Sequence, residues 1–326
     1  VDPHNGLADL QAGILRTPVS AEQSFDDDPL RMLRAARFAS QLGFDVDLEV
    51  MEAMEQMAQR LEIVSAERIR AELERLLLSP YPRRGLELLV HTGICDIVLP
   101  EVSALQDTVD EHRRHKDVYE HTLTVLQQAM DLETGPDGAV PGPDLRLRLA
   151  ALMHDIGKPA TRRFMPDGTV TFHAHDYVGA RMTAKRMRAL HFDKQTIKDV
   201  SRLVELHLRF HGYADSPWSD SAVRRYVTDA GPLLARLGCL TRADVTTGNR
   251  RKAAMLSHAY DDLERRIEAL RQQEELASIR PELDGQEIMA ELDIKPGPEV
   301  GKAYKFLLDL RMERGPIGKE LAREAL

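Results

Sequence analysis

Apolar positions recur at three- and four-residue intervals along most of this chain, which is the spacing of one buried helical face. The pattern predicts helices at roughly 47–60, 65–78 and 83–93, broken by Ser79-Pro80 and ended near Pro100. Ahead of them, Asp28 and Pro29 read as an N-cap followed by proline in the first helical position, and Gly43 as the closing residue. Leu30, Leu33, Ala36 and Phe38 would form the inner face of that helix. Sheet signals are sparse. Asp-Pro and Asn-Gly turns precede a short run, Leu10 to Leu15, with β character. Arg162–Phe164 and Thr169–Phe172 flank Pro166-Asp167-Gly168 as a hairpin. The polar stretch Glu133 to Pro143 is expected to be a mobile loop joining two helices. Met51, Met54 and Met57 form a helical stripe suited to core packing, and Trp218 an anchor near a helix start capped by Ser219 or Asp220.

Composition narrows the class. A chain of 326 residues, 43% hydrophobic and 30% charged, is long enough for two or three domains and has an ordinary globular balance. Only 5% is aromatic, and the abundance of Leu, Ala, Arg and Glu favours helix. Cys95 and Cys239 sit in apolar helical contexts, which implies no disulfide framework and a reducing, cytoplasmic setting. No stretch reaches the roughly 20 apolar residues of a membrane span, so no membrane partner is expected. The net charge of -9 excludes a chain that is basic throughout, but positive charge is locally dense at Arg31, Arg34 and Arg37 and at the pair Arg224 and Arg225.

The middle of the chain carries the strongest chemistry. His121 lies in VYEHT, His154-Asp155 in ALMHDIGKP at the end of an apolar helix, and Asp244 in LTRADVT. Imidazoles and carboxylates from separate helices can converge in a bundle core on a divalent cation, and Asp155 could bridge to a second one. His175 and the i,i+4 pair His207 and His211 are further candidates for a second ion or for substrate, whereas His112 and His115 read as surface residues. HLRFH is not a zincin motif, because Leu208 stands where that motif needs Glu. Lys158 could set its charge against a phosphate, so Asp155 and Lys158 are the expected catalytic pair. The ordered set His121, His154-Asp155 and Asp244 resembles the HD superfamily. That resemblance implies a divalent metal (Mg, Mn, Ni or Co) and hydrolysis of phosphate esters.

The flanks resemble a particular family. Asp2-Pro3, Gly6 and Asp9-Leu10 look like one block of the class II CCA-adding and poly(A)-adding nucleotidyltransferases. Phe25 to Arg31 with Arg34 to Phe38 looks like a second, with Asp27 replacing the usual Glu. Glu67-Arg68-Ile69 with Glu72-Leu73 looks like a third, followed by LLVHTGICDIVLPEV and, in the tail, DGQEIMAELDIKPGPEVG. Membership implies a mainly α fold: a remnant of an α/β nucleotidyltransferase head at 1–24, a helical neck for RNA and nucleotide recognition at 25–104, an HD domain containing a small β-hairpin at 105–275 and a helical tail at 276–326. It implies addition or repair of the tRNA 3′ CCA end from CTP and ATP, with tRNA as partner and a homodimer as an expected arrangement.

Asp28 and Arg31 suit the choice of C and A, since both bases pair an amino donor with a ring-nitrogen acceptor and a carboxylate and a guanidinium can match them. At i and i+3 the two side chains can face one base. Arg34 and Arg37 extend that face, to contact a nucleotide phosphate or to brace the neck. The opening at Val1 reads as the interior of a longer chain, and neither a Gly-rich phosphate motif nor a DxD metal pair of a head is found in these residues. On its own the chain is therefore expected not to add nucleotides. Three alternatives remain: a poly(A)-adding relative, an HD domain that is silent and serves as an RNA-binding and dimerisation body, and a stand-alone HD nucleotidase. If the HD site is active, RNA 3′ ends bearing 2′,3′-cyclic or 2′-phosphates are the expected substrates.

Overall fold

The computed structural model describes residues 2–106, 108, 117–167, 169–210, 212–213, 216, 218–247, 249–274 and 279–326. The architecture is mainly α, with two small two-stranded sheets among the described residues. The chain divides into two compact units, the first made of Val1–Leu208 and Ala235–Thr246 and the second of Arg209–Leu234 and Thr247–Leu326.

The first unit begins with α1 (Gly6–Ala12), β1 (Ile14–Leu15), α2 (Ala21–Asp27), α3 (Leu30–Leu42), β2 (Asp45–Val46) and α4 (Leu48–Met57), which tightens into a 3₁₀ turn at Ala58–Ile63. Helices α5 (Ala66–Leu77), α6 (Pro82–His91), α7 (Ile94–Val98) and α8 (Pro100–Ser103) follow. The expected strand at Leu10 to Leu15 is only Ile14–Leu15, pairing in parallel with Asp45–Val46. The residues before it are helical because the Asp2 carboxylate accepts the N–H groups of Gly6 and Leu7 at 2.8 and 2.9 Å, a local cap that outweighs the β tendency of a short run. Gly43 closes α3 with φ 69, and Asp28 accepts the Leu30 N–H at 3.2 Å at its start.

Helix α3 lies at the centre of this region, against α5 and α6. Its backbone meets α6 directly, because a Cβ added at Gly85 would fall 2.2 Å from Ser40 Oγ and 2.7 Å from the Ala36 carbonyl oxygen. Leu30, Leu33 and Ala36 are buried as expected, but Phe38 is 36% exposed. It falls roughly 200° round the helix from Ala36, and the Arg37 guanidinium lies 3.9 Å above its ring.

Helices α9 (Val118–Asp131), α10 (Leu145–Met153), α11 (Lys158–Thr161), α12 (His175–Ala189), α13 (Lys194–Leu206) and, beyond α14 (Asp220–Ala230) in the chain, α15 (Leu234–Ala243) complete this unit with the hairpin β3 (Arg163–Phe164) and β4 (Val170–Thr171). Helix α10 is buried from Leu147 to Met153 without a break, as the innermost element must be. Its one buried cation, Arg148, meets both Glu133 carboxylate oxygens at 2.7 Å and the carbonyls of Leu77 and Ser79 at 2.7 and 2.9 Å. The stretch Glu133 to Pro143 is thus a stapled turn rather than the open loop its composition suggests. Thr134 donates to and accepts from the backbone around Val140 and Gly142, and Val140 is buried.

The second unit holds α14, α16 (Arg250–Glu274), α17 (Gly285–Leu292), α18 (Pro298–Arg314) and α19 (Gly318–Ala325). Leu283, Ile288, Leu307 and Ala322 form a buried cluster beneath a capping box of Asp284 and Glu287. Trp218 lies 5.3 and 5.4 Å from Tyr213 and Tyr226, and Ser219 caps α14. The basic pair does not form a surface patch: Arg224 is buried and donates to the Met312 carbonyl at 3.0 Å, while Arg225 meets Glu313. Among the described residues no helix is long and apolar enough to cross a membrane.

Candidate metal centre

Each ligand candidate stands where an element begins or ends. Asp117 caps α9 by accepting the Tyr119 N–H at 3.0 Å, which sets His121 one turn inside. His154 and Asp155 follow the last residue of α10, His175 is the first residue of α12, His207 follows α13, and Asp244 follows α15. A buried apolar helix thus delivers polar side chains where its own hydrogen-bond ladder stops. The two ends of the centre are drawn together by an absent side chain. A Cβ at Gly157 would fall 2.1 Å from the His175 carbonyl oxygen and 2.7 Å from Gly179 N.

All six side chains converge. His121 Nε2 lies 3.0 Å from Asp244 Oδ1, 3.3 Å from His154 Nε2 and 3.5 Å from Asp155 Oδ2. His175 Nε2 lies 3.3 Å from Asp155 Oδ1, and the His207 ring centroid is 5.4 Å from those of both His154 and His175. Ligand atoms of His121, His154 and Asp244 lie within 4.8 Å of one another, and so do those of Asp155, His175 and His207. Lys158 Nζ stands 2.9 Å from Asp155 Oδ2.

The opposite edge of every ring is fixed. Nδ1 meets Thr246 Oγ1 at 2.9 Å in His121, the Ala151 carbonyl at 2.8 Å in His154, the Phe172 carbonyl at 2.8 Å in His175 and the Val204 carbonyl at 2.5 Å in His207. A carbonyl can only accept, so three of the rings donate from Nδ1 and present Nε2 inward. Nε2 of His175 and of His207 is buried without a hydrogen-bond partner. Orphaned buried acceptors are costly unless a ligand completes them, so imidazoles and carboxylates arranged this way fit a divalent cation.

Electrostatics agree. Burial alone would lower His154, but the carboxylates of Asp155 and Asp244 push it up to about 10. Burial would raise Asp155 and Asp244. The cations beside them instead hold both well below the usual carboxylate range, His154 and Lys158 acting on Asp155 and the two imidazoles on Asp244. His207 goes the other way, to about 4, through burial and the charge of His154.

The neck residues are less tightly gathered. Asp28 accepts Arg68 Nη2 at 3.0 and 3.3 Å, while Arg31 turns to the carbonyl and hydroxyl of Ser24, each at 3.1 Å. The two therefore stand one turn apart with separate partners. Arg34 is exposed. Arg37 is buried, its Nε 2.5 Å from Glu72 Oε2, and so braces α3 against α5. His112, His115 and His211 lie outside the described residues.

Three contributors escaped sequence reasoning. Gly157 is visible as a glycine but its need is set by Gly179, 22 positions away. Arg236 grips Asp144 from α15, and Arg68 partners Asp28 across 40 positions. No local spacing signals either pair.

A model described as "Probable RNA and SrmB- binding site of polymerase A" matches residues 43–105, and the HD domain model matches 118–249. The chain is 35% identical over 319 residues to the A-adding tRNA nucleotidyltransferase of Deinococcus radiodurans, covering 95% of this chain and 70% of the relative. It is 36% identical over 327 residues to the CC-adding tRNA nucleotidyltransferase of Thermus thermophilus, covering 98% and 70%. Among solved structures, the Bacillus stearothermophilus CCA-adding enzyme in complex with CTP shares the fold, with a TM-score of 0.60 at 19% identity over 100% of this chain and 68% of that one.

Proposed function

The chain belongs to the CCA-adding tRNA nucleotidyltransferase family, and from that premise we propose that it serves an enzyme that builds tRNA 3′ ends from CTP and ATP and also hydrolyses phosphate esters at an HD metal centre. Divalent metal use follows from the family and the HD domain. Mg²⁺, Mn²⁺, Ni²⁺ and Co²⁺ are the proposed ions, and His121, His154, Asp155, Asp244, His175 and His207 the proposed ligands. The carrying observation is the set of four imidazoles, each tethered at Nδ1, with Nε2 gathered around the buried Asp155 and the partly buried Asp244. What a divalent cation supplies there is a lowered pKa for water and neutralised charge on phosphoryl oxygens.

The protein's own groups do the rest. Asp155 is held ionised, and Lys158 at its side offers positive charge to a phosphate oxygen. Hydrolysis adds water oxygen to phosphorus, breaks one P–O ester bond and leaves a proton on the departing oxygen. In the neck, Asp28, Arg31 and Arg34 are proposed to read the incoming base and its phosphates, with Arg37 as brace. The boundaries proposed for head remnant, neck, HD domain and tail lie near residues 24, 104 and 275.

Two assays test this. Metal-stripped protein reloaded with each ion in turn should cleave bis-p-nitrophenyl phosphate and RNA ending in a 2′,3′-cyclic phosphate, and Asp155→Ala should abolish both. A wild-type protein inert with all four ions would sink the hydrolase reading and favour the silent, RNA-binding body. In a longer protein that carries a nucleotidyltransferase head ahead of these residues, incubation with tRNA lacking its CCA end and with CTP, ATP or both should extend that end. Because the relatives named above add CC and A separately, product length decides which addition this enzyme performs.

A further inference from the structure

The hairpin and the first turns of α12 carry features that the metal centre does not use. Phe164 is 73% exposed and Tyr177 56% exposed, both far beyond what a packed aromatic ring shows. Each has a guanidinium over it, with Arg162 Cζ 5.5 Å from the Phe164 centroid and Arg181 Cζ 6.0 Å from the Tyr177 centroid. Arg163 lies between Arg162 and Phe164 and is exposed. Both segments are rooted in the centre. Lys158, which pairs with Asp155, opens α11 immediately before β3. At the other end β4 runs into Phe172, whose carbonyl fixes His175, and Tyr177 follows two residues later.

Scattered exposed aromatics need no explanation, but two ring–arginine pairs on segments that end in the same metal centre are a stacking and charge platform. Single-stranded nucleic acid is held by such parts: bases stack on ring faces and phosphates meet arginines. The acidic groups of these segments, Asp167 and Asp176, are fewer than the arginines and lysines around them. Asp167 is turned to the N–H and hydroxyl of Thr169. We propose that Phe164 and Tyr177, with Arg162, Arg163 and Arg181, form a seat for the single-stranded 3′ end of an RNA, delivering its terminal phosphate to the HD centre. This rests on the hydrolase reading above and adds to it the surface that would hold the RNA substrate.

The test separates the two. In the wild-type protein, a short RNA carrying 4-thiouridine next to its 3′ end should crosslink within residues 162–181; a crosslink elsewhere only would overturn the seat. The double variant Phe164→Ala/Tyr177→Ala should lower the ratio of kcat/KM for cyclic-phosphate RNA to that for bis-p-nitrophenyl phosphate by about tenfold or more, mainly through KM, since one lost stack is worth about that factor. Phe164→Trp should restore much of it. An unchanged ratio overturns the seat while leaving the hydrolase intact. A correct crosslink in a protein that hydrolyses neither substrate supports the seat and removes the hydrolase.

Discussion

The Arg236 guanidinium closes on the Asp144 carboxylate with contacts of 2.7 and 3.0 Å, and Asp144 at the same time caps α10 by accepting the Leu147 N–H at 2.8 Å. One buried carboxylate thus ties the helix that ends before His154 to the helix that ends before Asp244. Asp144→Ala should lose about 3 kcal/mol in urea unfolding, from the cap and from a stranded Arg236. Metal affinity should fall about tenfold or more, as for other groups that hold ligands in place. Equilibrium dialysis with Mn²⁺ checks the second point, and an unchanged affinity would show that α15 finds its place without this contact.

Metal uptake should release protons. His154, held up to about 10 in the metal-free protein, is protonated at neutral pH, and its Nε2 must lose that proton to bind an ion. Calorimetry in buffers of different ionisation enthalpy should give about one proton released per ion at pH 7.5. Affinity should climb with pH up to that pKa. A buffer-independent heat would contradict the assignment of His154 as a ligand.

The two perturbed histidines give the metal-free protein opposite pH dependences. His154 is raised in the folded state, so its contribution is complete below about pH 6.5, the ordinary histidine pKa, and is lost as pH rises toward 10. His207 is depressed, so stability falls as pH drops from about 6.5 through 4, where the unfolded chain takes the proton more readily. Urea midpoints across this range in EDTA should fall at both ends, and excess divalent ion at neutral pH should raise them.

Arg37 and Arg34 should separate cleanly despite lying one turn apart. Arg37→Ala leaves Glu72 buried beside Arg75 alone, and should cost about 3–5 kcal/mol of stability. Arg34→Ala, on the exposed face, should change stability by less than about 0.5 kcal/mol and weaken nucleotide binding instead. Equal destabilisation by both would remove the distinction between brace and contact.

Asp28 should carry base choice. Asp28→Ala should relax discrimination against UTP by about tenfold or more, because a paired amino donor loses its acceptor. Arg68→Ala, which frees the Asp28 carboxylate, should affect CTP affinity while keeping the order of preference. Primer-extension assays with all four nucleotides, run on the protein joined to its nucleotidyltransferase head, measure both.

Much of the candidate site is legible in the sequence. His121, His154, Asp155 and Asp244 stand out only as an ordered set that resembles the HD pattern, and the structure brings the four side chains together; the hairpin falls within a residue of its turn signals. Helix limits for α4 to α6 came within a few residues, since their apolar spacing is regular. What stayed hidden depends on partners distant in sequence. The strand expected through Leu10 becomes helix because of Asp2, the stretch after Glu133 is ordered by Arg148, and the supposed Arg224 patch is spent on Met312. Propensity describes a segment alone, whereas each of these outcomes is decided by a second segment.

The contact of Gly157 with the backbone of α12 makes the aperture of the centre a property of main chain against main chain. Side-chain ligands swing among rotamers, but two abutting backbones have almost no soft direction in which to yield. The backbone spacing between the Asp155–Gly157 segment and His175, the first residue of α12, is therefore set by main chain rather than by rotamer choice. Any side chain at position 157 would push the start of α12 away and carry His175 with it, so the proposed ion site depends on a residue that contributes no ligand.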